Sequence, residues 1–439
     1  MSRSLDNGTA RGPWERVDHG IATDALLSPE ASLERITRVF ERVRGVVGSS
    51  RAELYHRASF RLRVRLDASD AREIIETGHD EGLAARVRTG GGRVGFAAVS
   101  GGEIEDAQWA LSEAASRETT VAKSSWADHS GAPIIDCDPT VCPDPAALRT
   151  TLRRSLSRSG ETCPDSPPTW AGSWIEWGTT VESWVADGGF RASRSRSRAW
   201  AMTPKRLAPE HGGGEIPALI AARGLDELGR FGWIAPALHG TAVPLDAALS
   251  DGTLLLEPFA AALVVRALAV ELCAPGRTTR QEVGPGFRIS DDPAHPKGLT
   301  GGKFDDAGFP TIRKPLADGS RILALFEGRG HLRRSSFRDP PAPDLTTLVV
   351  EGGGETPPKT VIHIPEARLH VLAPGDWVLE PVGAWLGDAG SGKPIARSFL
   401  RVSPHEIARR LHATAGPATL SPNNTQTPAL ILDRIGASS

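Results

Sequence analysis

Two pairs of adjacent acids, Asp291-Asp292 and Asp305-Asp306, stand in one stretch rich in Gly and Pro, residues 291–325, DDPAHPKGLTGGKFDDAGFPTIRKPLADGSRILAL. Paired carboxylates can share a proton for hydrolysis or hold calcium, whereas Asp beside Gly and Pro caps turns through its own backbone. The pattern predicts a long surface loop feeding a β-hairpin, and nothing in it assigns proton transfer to these acids. Arg194, Arg196 and Arg198 alternate with Ser193, Ser195 and Ser197, so on a strand all three arginines share a face. That face is either solvated or a basic lining that steers carboxylates toward a cavity.

Other constellations read more plainly. His405, Glu406 and His412 in HEIARRLH resemble a zinc-peptidase helix, but at i+7 the second imidazole lies about 10 Å further along the axis, too far to share one ion. Residues 387–393, GDAGSGK, match seven positions of a phosphate-binding loop. Pro394 then replaces the magnesium-binding hydroxyl, and a strand pattern follows instead of a helix, so a hairpin turn is expected. His129, Cys137, Cys142 and Cys163 share a loop-rich region but lack the spacing of a zinc knuckle.

The elements that position these residues follow from periodicity. Leu33, Ile36, Phe40, Val43 and Val47 recur at helical spacing, with Ser32 as a helix start. Phe60, Leu62, Val64 and Leu66 alternate with Arg61, Arg63 and Arg65, as in a strand with one buried face. A helix near residues 71–77 is followed by a hairpin around Gly90-Gly91-Gly92 and a helix over 103–115. A helix over 145–156 precedes strands at 174–177 and 181–185, paired as a hairpin, and a third strand over 190–202. Helices are expected over 215–228 and 257–272, then short strands at 321–326, 346–350, 360–364, 377–382 and 394–402, and a final helix bearing His405 and His412. The fold class is α+β with two domains: a polar extension at 1–28, an amino-terminal domain with a mixed α/β sheet at 29–205, and a β-rich antiparallel domain, sandwich- or barrel-like, at 206–439.

The chain has 439 residues, 51 basic and 53 acidic, for a net charge of −2. That balance gives no general attraction to nucleic acid or anionic membrane. The run 259–270 contains Arg266 and falls short of the roughly 20 apolar residues of a spanning helix. Four cysteines in such a length fit a reduced compartment better than a disulfide framework, and a cytoplasmic protein is expected.

The order DDP…G…FDD-x-G-x-P-T-x-R, the hairpin GLAARVRTGGGRVGFA and the late segment GKPIARSFLRVSPHEIARRL together resemble the TldD/PmbA family of two-subunit metallopeptidases. Residues 329–339 are basic and depart from the family pattern, and His295-Pro296-Lys297 has no fixed equivalent. Metal-carrying subunits bear L-L-x-H-E-x-x-x-H upstream of this loop. Here the matching segment is LLLEPFAAALVV, with Glu257 and Pro258 in place of His-Glu and Ala262 in place of the second His. Alanine has no lone pair and proline cannot act as a base, so the match is to the TldE/PmbA type.

The resemblance implies a heterodimer with a TldD-like subunit that carries zinc or iron, no cofactor in this chain, and a chamber for small or unfolded peptides or a peptide-like natural-product intermediate, as in antibiotic pathways. It places the loop at the chamber wall. Asp291, Asp292, His295, Asp305, Asp306 and Arg313, with Arg194, Arg196 and Arg198, are thus candidate contacts for substrate or partner. Two other readings stand beside it: a ligand-binding or scaffold homodimer, and a pair that cleaves an amide-type bond in a non-peptide metabolite.

Overall fold

Four long antiparallel strands, Glu73–Arg88, Arg51–Leu66, Trp174–Ala186 and Arg191–Arg206, lie side by side in that order as the centre of an eight-stranded sheet. The computed structural model describes residues 15–16, 28–48, 50–66, 73–89, 91–117, 132–137, 145–162, 172–206, 215–228, 241–249, 253–274, 277, 281–325, 332–334, 336–352, 354–356, 361–387 and 392–433. Of the polar extension, Glu15–Arg16 pairs with the end of Glu73–Arg88, and apart from Ser28 the rest lies outside the described residues.

One face of this sheet carries the helices. Pro29–Val43 and Ile104–Ser116 bury Leu33, Ile36, Phe40, Ala107 and Leu111 against Leu54, Leu83 and Val87. Leu148 and Leu152 of Pro145–Thr162 pack on Leu62, Ile175 and Trp177. Ser28, not Ser32, caps the first helix by accepting from the Ala31 amide at 3.2 Å. Ser32 lies one turn inside, where its hydroxyl meets Ser183 Oγ at 2.8 Å.

Three expectations for this half are corrected. The helix near 71–77 is the start of the Glu73–Arg88 strand, which pairs residue for residue with Arg51–Leu66; a sixteen-residue partner outweighs local preference. Residues 174–186 form one strand rather than a hairpin, because Gly178 stays extended between Arg61 and Arg198 instead of turning. Residues 215–228 are mostly the strand Glu215–Ala222, which pairs with Arg191–Arg206, followed by a short helix Leu225–Leu228. The first sheet therefore continues past residue 205, where the sequence patterning marked the boundary.

The second half is built on a nine-stranded sheet in the order Lys314–Asp318, Arg288–Asp291, Leu348–Val350, Thr425–Leu432, Thr253–Leu256, Val361–Ile364, Trp385–Leu386, Lys393–Pro394, with Leu411–Leu420 beside Thr425–Leu432. The α+β class is as expected, but this sheet is mixed: Leu348–Val350 runs parallel to Thr425–Leu432, and Thr253–Leu256 parallel to Val361–Ile364. Among the described residues it does not close into a barrel. Helix Pro258–Leu272 is apolar around most of its surface and packs on one face through Val264, Val265 and Leu268. Glu366–Ala373, Asp376–Val382 and Leu400–Val402 make a separate three-stranded sheet, so the expected 394–402 strand is two pieces in different sheets. Arg321 and Ile322 make only isolated bridges; the strand there is Lys314–Asp318. The last helix stops at Arg410, and His412 lies on the strand that follows. Among the described residues no helix is long and apolar enough to cross a membrane.

Candidate functional site

The face of the first sheet opposite its helices gathers five of the nine predicted site residues, Arg194, Arg196, Arg198, Asp305 and Asp306, while Asp291, Asp292, His295 and Arg313 make their contacts within the second half. The chain returns over that face with FDDAGF and residues 332–334 and 336–337, and Phe304, Ala307, Phe309, Leu332 and Phe337 pack on Tyr55, Ala84, Trp184 and Ala192. Gly308 makes the tight turn at a φ of +87°, and a β-carbon there would stand 2.6 Å from the Phe190 ring. Trp184 is clasped between Tyr55 and Phe304, with ring centroids 4.9 and 5.1 Å away.

Beneath this cover lies a buried ionic junction. Arg194 donates from Nε to Glu182 at 2.6 Å, from Nη2 to Asp306 Oδ1 at 2.7 Å, and from Nη1 to the Phe304 carbonyl at 3.3 Å. Tyr55 donates its hydroxyl to the other oxygen of Glu182 at 2.6 Å. Burial alone would raise the Glu182 carboxyl, but the Arg194 and Arg57 charges and the Tyr55 hydroxyl hold it well below its ordinary value. Asp306 also accepts from the Arg334 amide at 2.5 Å and from Arg333 Nη1 at 3.4 Å, and Arg334 Nη2 reaches Glu53 at 3.1 Å. Glu53 is shared with the buried Arg86. The unusual basic segment thus supplies counter-ions for this face.

The paired acids do different work from each other, and neither member of the second pair is exposed. Asp305, fully buried, caps its own turn by accepting from the Ala307 and Phe309 amides, each at 2.9 Å, and from Leu332 N at 3.3 Å. Its carboxyl is pushed up, chiefly by burial. Asp291 is also fully buried and accepts from the Thr346 amide at 2.9 Å and its hydroxyl at 2.5 Å. The expected surface loop is therefore an internal seam, and Asp291, Asp305 and Asp306 are withdrawn from solvent. Asp292 caps Ala294 N, and His295 Nδ1 accepts from Lys297 N at 3.3 Å. Arg313 bridges Ser290 Oγ at 3.1 Å and Glu351 at 2.5 Å.

The three alternating arginines share a face as expected but not a fate. Arg194 is committed as described, and Arg196 pairs with Asp136 and donates to the Gly301 carbonyl at 2.8 Å. Arg198, half-buried, rests 4.7 Å from the Trp200 ring centroid. Burial, with the adjacent Arg57 and Arg61 charges, depresses its guanidinium to about 10. Trp200 packs with Leu299 and Leu420 of the second half, so this patch lies on the seam between the sheets.

At the start of Pro258–Leu272 the structure places a pair that the sequence pattern did not single out. Glu257 Oε1 lies 2.9 Å from His363 Nδ1, and the imidazole stacks on Trp385 with centroids 4.7 Å apart and planes 6° from parallel. Ala262 is buried in the core, and its carbonyl accepts from Asn423 Nδ2 at 3.0 Å. A catalytic zinc takes three protein donors, and here two stand together. Among the described residues no cluster of three His, Cys, Asp or Glu is placed for a metal. The residues present do not fit the ligand set of the metal-carrying type.

The remaining constellations resolve blandly. Trp385–Leu386 pairs with Lys393–Pro394, so 387–393 joins a hairpin, although 388–391 lie outside the described residues. His405 lies on the helix Pro404–Arg410, while His412, on the next strand, is 3.4 Å from Asp433. Cys137 lies 3.5 Å from Glu30, and His129, Cys142 and Cys163 are outside the described residues.

No family model matches the sequence, and no curated protein matches it. Solved structures do. The chain superposes on TldE from Thermococcus kodakarensis with a TM-score of 0.68 at 16% identity, over 92% of this chain and 98% of that one. It superposes on a putative modulator of a DNA gyrase from Thermotoga maritima at 0.68 and 15% identity, over 91% and 98%, and on another from Bacteroides thetaiotaomicron at 0.63 and 12% identity, over 93% and 98%. The likeness drawn from FDDAGFPTIR thus holds for the fold across nearly the whole chain.

Proposed function

We propose that this chain, which shares its fold with TldE over nine-tenths of its length, is the metal-free subunit of a TldD/TldE-type metallopeptidase pair. The observation that carries the reading is the helix Pro258–Leu272. It occupies the place of the metal-binding helix in the sequence pattern, yet begins with Glu257-Pro258 and buries Ala262 where a ligand would stand. In such a pair the partner's divalent metal would polarise the scissile carbonyl and activate water. This chain would shape the chamber and select small or unfolded peptides, or a peptide-like intermediate.

Co-expression with a cognate subunit bearing the H-E-x-x-x-H helix tests this. Light scattering after size exclusion should give a one-to-one complex, with a buried interface beyond roughly 2,000 Å² as in obligate pairs. Peptide hydrolysis and metal should both require the partner. A dialysed chain that alone retains one zinc or iron and hydrolyses peptides would refute the reading, as would a chain that stays monomeric beside its partner.

A further inference from the structure

On the sheet face that carries the ionic junction, five carboxylates among the described residues already face arginines. Glu53 is held by Arg86 and Arg334, Glu76 by Arg65 and Arg63, Glu176 by Arg63, Glu182 by Arg194, and Asp80 faces Arg338 at 3.8 Å. Among the described residues Arg198 makes no ion pair and rests on the Trp200 ring, with Glu176 and Glu182 acting on it only at longer range. Strand register puts Arg198 in one cross-strand row with Gly178, Arg61 and Gly78. Two of these four positions have no side chain, and the stems of Arg198 and Arg61 stand on either side of Gly178, about 10 Å apart at their backbones. The Trp200 ring and the stem of Arg61 lean over Gly178, 3.3 and 3.4 Å from where a β-carbon would sit, so the two arginines converge above a covered glycine.

We infer that Arg198, with Arg61 across Gly178, is a subsite for a carboxylate on the substrate. A guanidinium presents a planar fork that matches a carboxylate's two oxygens, and a partly desolvated site makes the contact stronger than at an open surface. The depressed Arg198 guanidinium agrees, since the surrounding acids do not offset its burial beside Arg57 and Arg61. Trp200 of the first sheet and Leu299 of the second half give the site an apolar wall. The location rests on the chamber reading above, but binding by the isolated chain does not. The subsite selects peptides that carry an acid, either a side chain or the terminal carboxylate.

Calorimetric titration of the full chain at low ionic strength separates these sources. The probes are amidated tetraglutamate, which has only side-chain acids, free-acid tetraalanine, which has only the terminal one, and amidated tetraglutamine, which has none. Binding of either acid-bearing peptide at least tenfold tighter than tetraglutamine is expected, and the tighter of the two identifies the source. Arg198→Gln should weaken that binding roughly ten- to a hundredfold, the range for a charged hydrogen bond. Arg198→Lys, which keeps the charge and the fold but not the fork, should fall between. Arg191→Gln, at an exposed arginine near Glu41, should leave it unchanged. Equal affinity for all three peptides, or an Arg198→Gln or Arg198→Lys chain that binds like the wild type, overturns the inference. Such a result would leave assembly with a partner intact, so failure here is distinct from failure of the pair itself.

Discussion

Replacing Asp306 with Asn should destabilise the chain, because its carboxylate is one of the points at which the second half is tied to the first sheet. It is 2% exposed and accepts from Arg194, Arg333 and the Arg334 amide at 2.7, 3.4 and 2.5 Å. An Asn side chain has one acceptor oxygen, so its amide would face either the Arg334 N–H or the two guanidinium groups, a donor set against donors. Arg194 keeps Glu182, but Arg333 already has buried Nε and Nη2 atoms without partners and would lose its nearest acid. Breaking a buried pair by removing one partner costs about 3–5 kcal/mol, and the retained Glu182 contact argues for the lower end, about 3 kcal/mol. With a urea slope of about 3 kcal/mol/M, that moves the midpoint down by roughly 1 M. Tryptophan fluorescence is a suitable probe, since Trp184 lies under the Arg194 guanidinium at 4.9 Å. A change below about 0.5 kcal/mol, the range of ordinary surface substitutions, would show that the junction does not hold the loop.

Two further outcomes follow from the same geometry. Burial pushes the Glu366 carboxyl up from an ordinary 4.5 to about 7, with Arg368 only partly opposing it. A folded-state value above the unfolded one means that the stability it contributes is fully present below about pH 4.5 and is lost as pH rises through 7. The gap corresponds to at most about 3 kcal/mol, and partial exposure lowers this to about 1–2 kcal/mol. Glu366→Gln should therefore match the wild type in thermal stability at pH 4 and exceed it at pH 8; equal melting at both would show that the carboxyl is not raised. Gly308→Ala should cost about 2 kcal/mol or more, because φ is +87° and the new methyl meets the Phe190 ring, and an unchanged melting temperature would refute the tight-turn account.

The parts of the fold legible in sequence are those fixed within a few residues. The hairpin around residues 90–92, the helix Pro29–Val43 and the helix Pro258–Leu272 each carry their own period, and the structure has all three. The Glu73–Arg88 strand does not, because its extended state depends on sixteen partner residues in the preceding strand. Gly178 misled for a related reason: glycine marks turns, but in a central strand it also makes room for large neighbours. The same division runs through the site. Asp305 as a turn cap was readable, since its acceptor contacts at Ala307 and Phe309 are two and four residues away. Asp306 pairs with Arg194 across 112 positions and His363 with Glu257 across 106, and no local pattern encodes either. The available signal was compositional: the basic run at 329–339 is where Arg333 and Arg334 come from.

In the proposed pair, the burial of Asp305 and Asp306 leaves other residues of this face to meet a peptide. Had these acids lined a chamber, this chain would have favoured cationic peptides. With both consumed by backbone amides and guanidinium groups, the same sheet face presents the opposite sign, and only beyond the cover laid down by FDDAGF. Arg194 and Arg196 lie under or beside that cover and are neutralised by acids of the chain itself. Arg198 is the next position on the same face, across from Gly178, where the second half contributes Leu299 and Leu420. One alternating run of arginines therefore serves both ends: its first two members lock the halves of the chain together, and its third, among the described residues, makes no ion pair at the seam they create.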